Sequence, residues 1–345
     1  MKVLVTGANG HIGYDLCSAL VRQGRTVRAS IRSTADEAKA APLRALGGIE
    51  LVGLDVRDRN GFAQAAEGID VLFHLAATYA YFTGSREKDA EMVRDSVEGA
   101  ESALRAAAYA GVRKVVLTSS LVTLPLARPG DPTADERQWR TDLAVPYNRA
   151  KVEGERTAWR LAEELGVKLV TVLPGAIAGP GFRRRTATTD LFEGIMLGTM
   201  RMGAPDSNFP YVDVRDVVAA HVLAGEKDVS GRFIVANDRF PSFLELTRLM
   251  HHIDPAVPEA PRLIPDFAVG LAPFFDWMNA KLLGAPRLLT PEFVASVRGK
   301  LFKATNARAK EELGWRQQVP LEQSLADTMS AIRALRRREG HRKMA

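Results

Sequence analysis

Residues 3–13 read Val3-Leu4-Val5-Thr6-Gly7-Ala8-Asn9-Gly10-His11-Ile12-Gly13. Val3 to Val5 form a short apolar run suited to a buried strand, and Leu16, Leu20 and Val21 then recur at helical spacing. Strand, glycine-rich turn and helix, in that order, is the setting in which a dinucleotide fingerprint has physical meaning. Gly7 allows a tight turn, Gly10 lets backbone approach a pyrophosphate, and Gly13 lets the helix lie close to the strand. The phosphates would rest at the helix N-terminus, where backbone N–H groups point outward. The spacing is GxxGxxG.

Working outward, Thr26 to Ile31 reads as a second strand ending in Arg32-Ser33. A NAD-preferring site places an acidic residue at this strand end; here the charged candidates are Arg28 and Arg32. A guanidinium suits a 2′-phosphate, so NADP(H) is the expected cofactor, with NAD(H) as the alternative. A helix over about 34–46 leads to a third strand, Ile49 to Val52. In the following Leu54-Asp55-Val56-Arg57-Asp58, Asp55 is placed to accept from an adenine amino group and Val56 to pack on the ring. Asp58 reads as a helix cap. The fourth strand, Val71 to Leu75, ends in Ala76-Ala77-Thr78, small residues that let a ribose lie close. His74, flanked by apolar residues, reads as a packed histidine.

A long helix from Arg86 to Tyr109, stopped by Gly111, precedes a fifth strand, Lys114 to Thr118. That strand delivers Ser119 and Ser120 at its carboxyl end, where open α/β sheets hold their ligands. A proline-bearing loop then leads to Tyr147-Asn148-Arg149-Ala150-Lys151. Tyr147 and Lys151, four apart, stack on one helix face. A phenol of reference pKa about 10 can protonate a nascent alkoxide if its own anion is stabilised, and an ammonium one turn away does that. Val167 to Leu173 makes a sixth strand, ending in Pro174-Gly175. This rhythm predicts an α/β fold with a doubly wound parallel sheet over residues 1–175, to which 209–236 returns.

Residues 176–208 and 237–320 read as a smaller, mostly helical substrate-binding region. Arg183-Arg184-Arg185 is either a solvated face or an anion contact. Phe267, Leu271, Phe274, Phe275, Trp277 and Met278 read as packed helices forming a lid or pocket wall, with a dimer or membrane-surface contact as alternatives. Residues 321–345 are expected to form a final helix and a basic tail. Hydrophobic residues at 46% and charged residues at 26% fit an ordinary globular chain and exclude a disordered one. Much of the net charge of +6 lies in the last ten residues, as a solvated tail, so no nucleic-acid partner is expected. Cys17 is the single cysteine, which excludes an internal disulfide and reads as a small packing residue. With no spanning apolar run, no signal sequence and no metal-ligand cluster, the expectation is a cytoplasmic protein without a metal site.

Taken in order, several motifs resemble an extended short-chain dehydrogenase/reductase of the epimerase/dehydratase superfamily, over most of the chain. They are the glycine turn, Asp55-Val56, His74-Leu75-Ala76-Ala77, Thr118-Ser119-Ser120, Tyr147-xxx-Lys151, Pro174-Gly175, Tyr211-Val212-Asp213-Val214-Arg215-Asp216-Val217 and Ala309-Lys310-Glu311-Glu312-Leu313-Gly314-Trp315. Val27-Arg28-Ala29-Ser30-Ile31-Arg32 and Val116-Leu117-Thr118-Ser119-Ser120 are most similar to the dihydroflavonol-4-reductase-like and 3β-hydroxysteroid dehydrogenase-like branch. Ser96 stands before Val97-Glu98-Gly99 where many relatives have asparagine, which departs from a proton relay through that residue.

The resemblance implies a Rossmann domain in which Asn9, His11 and Ile12 join the three glycines at the cofactor and Thr118 lies beside it. It implies that Lys151 donates to the nicotinamide ribose, that Pro174 lies against the carboxamide, and that Ser120, with Ser119 as fallback, orients the substrate oxygen. The implied activity is reduction of an aldehyde or ketone, or oxidation of the matching alcohol, by Ser120, Tyr147 and Lys151. The alternatives are a nucleotide-sugar epimerase or dehydratase that retains its cofactor, and a non-catalytic NADP(H) sensor. The expected partner is a small carbonyl or alcohol; a homodimer is left open.

Overall fold

Val3 and Val5 turn into one buried core and Leu4 into another, as alternation along a strand covered on both faces requires. The computed structural model describes residues 1–78, 80, 81, 83, 85–283 and 290–344; the side chains of 266, 275, 276, 279, 280, 282, 283 and 340–344 lie outside that description. The expectations for Phe275, His341, Arg342 and Lys343 therefore fall outside it.

The first half alternates throughout: β1 (Lys2–Thr6), α1 (His11–Arg22), β2 (Thr26–Ile31), α2 (Glu37–Arg44), β3 (Ile49–Gly53), α3 (Arg59–Ala66), β4 (Val71–His74), α4 (Arg86–Tyr109), β5 (Lys114–Thr118), α5 (Pro146–Leu165) and β6 (Leu169–Pro174). The second half is β7 (Ala176–Ala178), α6 (Ala187–Met196), β8 (Tyr211–Asp213), α7 (Val214–Glu226), β9 (Gly231–Val235), α8 (Phe243–Ile253), α9 (Asp266–Leu283), α10 (Pro291–Val297), α11 (Ala307–Glu311) and α12 (Leu321–Met344).

Seven strands make one parallel sheet in the order β3-β2-β1-β4-β5-β6-β9. The order reverses between β1 and β4, and at such a switch point the strand ends leave a crevice for a ligand. One face is covered by α1 and α7, whose Leu16, Leu20, Val217 and Ala220 join Val3, Val5 and Phe73. The other is covered by α3, α4 and α5, whose Phe62, Ala103, Ala107 and Leu161 join Leu4, Leu72 and Val115. Trp315 is fully buried in the first core and donates its indole N–H to the Asp216 carbonyl at 2.9 Å.

Gly7 and Gly154 each permit a close approach. Gly7 has φ +66°, and a β-carbon there would lie 2.9 Å from the Ala76 backbone. At Gly154 of α5 a β-carbon would lie 2.5 Å from Ser96 Oγ and 3.1 Å from the Ser96 carbonyl oxygen of α4. Ser96 Oγ in turn donates to the Ala150 carbonyl at 2.8 Å. Ser96 thus ties the two helices together. Asp58 caps α3 by accepting from the amides of Asn60 and Gly61.

The second half adds a two-stranded parallel sheet of β7 and β8, with Phe192, Tyr211, Leu246, Leu325, Met329 and Ile332 in a core of its own. Two expectations are corrected here. On α9, Phe267, Leu271, Phe274 and Trp277 are exposed and do not form a packed wall, because they share the helix stripe that faces solvent. The basic C-terminal stretch is not a solvated tail throughout. Arg333 pairs with Asp254, Arg336 with Glu193, and Glu339 with Arg185, because α12 packs its apolar face down and brings these charges against α6 and α8.

Candidate active site

The carboxyl ends of β1, β2, β3, β4, β5 and β6 deliver the sequence-predicted residues to one edge of the sheet. Gly7, Asn9, Gly10, His11, Ile12 and Gly13 make the β1–α1 turn; Arg32 follows β2, Asp55 and Val56 follow β3, and Ala76 and Ala77 follow β4. Thr118 ends β5, with Ser120 two residues on, and Pro174 ends β6.

The turn suits a phosphate. The Gly10 amide donates to the Gly7 carbonyl at 2.9 Å, and a β-carbon at Gly13 would lie 2.3 Å from that same oxygen, so α1 begins hard against the turn. Gly10 is the N-cap and offers no side chain to the first-turn amides. The N–H groups of His11, Ile12 and Gly13 therefore point beyond the helix end, an arrangement that takes an anion. Thr6 Oγ1 accepts from the amides of Leu75 and Ala76 at 3.1 and 3.2 Å, locking the β4 end beside this turn. Its proton then goes to His74 Nδ1, 2.9 Å away. His74 is thus neutral with its proton on Nε2, and burial pushes its pKa down to about 4. It is the packed histidine expected from its apolar flanks.

Several predicted cofactor residues have side chains already engaged. The His11 ring donates Nε2–H to the Pro180 carbonyl at 2.8 Å and lies 4.2 Å from the Phe182 ring, so it pins the 180–182 loop to α1. Burial lowers its pKa to about 4. Asp55 is held by Arg57 at 2.8 and 3.0 Å, and that pairing holds its carboxyl down at about 2. Val56 packs on α4, 3.3 Å from where a Gly99 β-carbon would stand. The Thr118 hydroxyl is turned to α7: His221 Nδ1 lies 2.8 Å from the Val217 carbonyl and must donate to it, so Nε2 accepts from Thr118 Oγ1 at 2.7 Å. Arg28 sits within β2, its Nε bound to Glu50 and its Nη1 to Ala65 O and Glu67 O. Arg32 lies exposed beyond the strand end.

Tyr147 and Lys151 share the inward face of α5, one turn apart. Pro146 at the first helical position starts the helix, its fixed φ preorganised for that place. Tyr147 is 6% exposed and meets the Tyr81 ring edge-on at 5.5 Å; Tyr81 meets Phe293 in the same way at 5.3 Å. Lys151 Nζ donates to the Thr118 carbonyl at 3.1 Å, and burial pulls its pKa down to about 8 against the opposing charge of Glu155. Ser120 caps the short turn Leu121–Thr123 through an Oγ that accepts from the Val122 amide at 3.3 Å.

Behind Ser120 lies a buried network that the sequence reading missed. Glu155, eight residues after Tyr147, accepts from Ser119 Oγ at 2.6 Å, Thr171 Oγ1 at 2.7 Å and Arg232 Nε at 2.9 Å. Arg232 also donates to Thr123 Oγ1, Glu136 O and Gln138 O, and stacks 3.7 Å from the Trp139 ring. Thr123 Oγ1 donates back to the Ser120 carbonyl at 2.9 Å. Ser119 is thereby committed to the interior, which leaves Ser120 as the serine at the strand end. Of the basic run, Arg185 is taken by Glu193 and Glu339, and Arg183 lies 3.3 Å over the Tyr14 ring.

A model of the NAD-dependent epimerase/dehydratase family matches residues 3–236. The chain belongs to that family. Its members are NAD(P)-dependent oxidoreductases and epimerases acting on carbonyl or alcohol groups, and this chain is an enzyme of that kind. It is 33% identical over 326 residues to sterol demethylase protein B of Methylococcus capsulatus, covering 91% of this chain and 93% of that one. It is 34% identical to cinnamoyl-CoA reductase 1 of Arabidopsis thaliana, over 68% of this chain and 70% of that one. The crystal structure of gox2253 superposes with a TM-score of 0.80 at 28% identity, over 97% of this chain and 98% of that one. The resemblance to the dihydroflavonol-reductase-like branch stands with these matches. Among the described residues, no helix is long and apolar enough to cross a membrane, and no group of His, Cys, Asp or Glu could hold a metal ion.

Proposed function

We propose that the chain is an NADP(H)-dependent reductase of an aldehyde or ketone, working through Ser120, Tyr147 and Lys151. The observation that carries this reading is the Tyr147–Lys151 pair, with Lys151 Nζ anchored on the Thr118 carbonyl two residues before Ser120. The glycine turn, the uncapped start of α1 and the exposed Arg32 fit a dinucleotide with a 2′-phosphate. When bound, that dinucleotide supplies the hydride.

The chain's own residues handle the proton and the charge. Tyr147 gives its phenolic proton to the oxygen of the reduced carbonyl, and the Lys151 ammonium lowers the cost of the phenolate left behind. Ser120 donates to the same oxygen and fixes its position. Tyr81, Phe293 and Val122 around Tyr147 keep water from that oxygen and suit an apolar substrate body. The epimerase alternative loses support, since two of the three arginines once open to a diphosphate are engaged elsewhere.

The test is NADPH consumption with a panel of aldehydes and ketones, for the wild type and Tyr147→Phe. Loss of the proton donor should lower kcat by roughly 10²–10⁴-fold with NADPH binding intact. Turnover that survives Tyr147→Phe unchanged would sink this reading, as would a cofactor that copurifies and never exchanges.

A further inference from the structure

Every donor of one buried guanidinium is engaged, and its partners come from both sides of the proposed reaction centre. Arg232, on β9, is 6% exposed. Its Nε–H goes to Glu155 Oε1 at 2.9 Å, and its two Nη1 protons go to the Glu136 and Gln138 carbonyls at 2.6 and 2.8 Å. Its two Nη2 protons go to Thr123 Oγ1 at 2.9 Å and Glu155 Oε2 at 3.4 Å. A guanidinium carries five N–H donors in one rigid plane, so these bonds fix the acceptors relative to one another. The Trp139 ring, its centroid 3.7 Å from Cζ, covers one face of that plane.

One side is the helix of Tyr147 and Lys151. Glu155 stands eight residues after Tyr147 and four after Lys151, so the three share one stripe of α5. Its Oε1 accepts from Thr171 Oγ1 and Arg232 Nε, and its Oε2 from Ser119 Oγ and Arg232 Nη2, which fills a carboxylate's four lone pairs. Thr171 and Arg232 are register partners on β6 and β9 and reach Glu155 together. The other side is the Ser120 turn. The fully buried Thr123 accepts from Arg232 on Oγ1 and gives the Ser120 carbonyl two bonds, from Oγ1 at 2.9 Å and from its amide at 3.1 Å. Ser120 Oγ accepts from the Val122 amide, and among the described residues no acceptor takes its own proton. A buried ion pair is an expensive route to stability, because desolvating both charges offsets their attraction. What this one adds is a fixed spacing between a turn and a helix that the chain joins only through the 124–145 loop.

We propose that Arg232 is a positioning residue, a brace that sets the Ser120 turn against the α5 stripe so that Ser120 and Tyr147 meet one substrate oxygen. Thr123 transmits its hold to Ser120. The effect on rate rests on the reductase reading above; the brace itself does not. Thr123→Val removes the hydroxyl between Arg232 and Ser120 and leaves the Glu155–Arg232 pair in place. In NADPH-dependent reduction of the best carbonyl of a panel, it should lower kcat by roughly 10- to 100-fold, with KM and NADPH affinity unchanged. Arg232→Lys keeps a charge for Glu155 but loses the rigid plane, and should show the same kcat loss. Thr123→Ser keeps the hydroxyl and should recover most of it.

In a Ser120→Ala background either substitution should cost little more, because no hydroxyl is left to aim. General damage to the fold would multiply the two losses instead. Amide hydrogen exchange of the full chain, read by mass spectrometry, follows the brace without turnover. Peptides across residues 119–124 should exchange faster in Thr123→Val and Arg232→Lys than in wild type, while those across β1 and β4 stay as they are. Unchanged exchange at 119–124 in both variants, a rate loss carried only by KM, or losses that multiply with that of Ser120→Ala overturn the proposal. Faster exchange at 119–124 with no carbonyl reduced by the wild type, or with Ser120→Ala fully active, leaves the brace standing and removes the reductase reading instead.

Discussion

Lys151 Nζ and the Thr118 carbonyl oxygen lie 3.1 Å apart, so the ammonium of α5 is fixed on the end of the strand that carries the serines. Burial lowers the Lys151 pKa from the ordinary 10.5 to about 8. The charge proposed to assist Tyr147 is then lost as pH rises through about 8, and kcat/KM for carbonyl reduction should fall on that limb. The linkage sign runs the same way. Between about 8 and 10.5 the unfolded chain holds the proton that the folded one has lost, so stability rises with pH across that window. Below about 8 both states are charged and the full burial cost is present. Lys151→Met should therefore abolish turnover while raising Tm at neutral pH, a trade of stability for function. Thermal melts across this pH range, run beside the rate profile, check both signs.

The Glu155–Arg232 pair should behave as a buried ion pair does. Glu155→Leu alone or Arg232→Met alone leaves an uncompensated charge in the interior and should cost about 3–5 kcal/mol. The double variant should cost much less than the sum of the two. Urea unfolding of all four proteins measures the coupling, and additivity within error would contradict the shared network.

Arg32 stands exposed past the end of β2, and Asp55, past the end of the neighbouring β3, is paired with Arg57. Arg32→Ala should lower the ratio of kcat/KM for NADPH over NADH by about 10–100-fold, the worth of one or two charge-assisted hydrogen bonds. An unchanged ratio would place the 2′-phosphate contact elsewhere.

Gly154 is set by the approach of α4. Gly154→Ala puts a methyl 2.5 Å from Ser96 Oγ and 3.1 Å from its carbonyl oxygen. Overpacking of this kind should cost about 1–3 kcal/mol. In a Ser96→Ala background part of that loss should return, since the nearest atom is gone and the backbone oxygen remains.

Local signals in the sequence reached the parallel sheet, the glycine turn and the helix bearing Tyr147 and Lys151. Period-2 and period-3.6 patterns report which face of an element is buried, and glycine and proline mark its ends. What they could not report is where a polar side chain spends its hydrogen bonds. Thr118 and His11 stand at the right edge of the sheet, yet their side chains turn to His221 and to Pro180, 103 and 169 residues away. Glu155 reads as one more acidic residue on an amphipathic helix until Arg232 arrives on β9. β7 and β8 are three residues each and too short for any periodicity. On α9 the apolar stripe was legible, but which way it faced was not, because hydrophobic spacing alone does not separate a covered face from an open one.

The position of β9 bears on how this chain could be cut or recombined. A fragment ending at Gly175 contains every residue assigned to hydride and proton transfer, yet it leaves out Arg232, the cation that completes Glu155 under Ser119 and, through Thr123, the turn of Ser120. Such a fragment would bury the Glu155 carboxylate without its guanidinium, beneath the proposed reaction centre. The nucleotide half is therefore not a cassette that can be exchanged at the end of β6; any chimera that swaps substrate loops must carry residues 231–235 along with the half they complete.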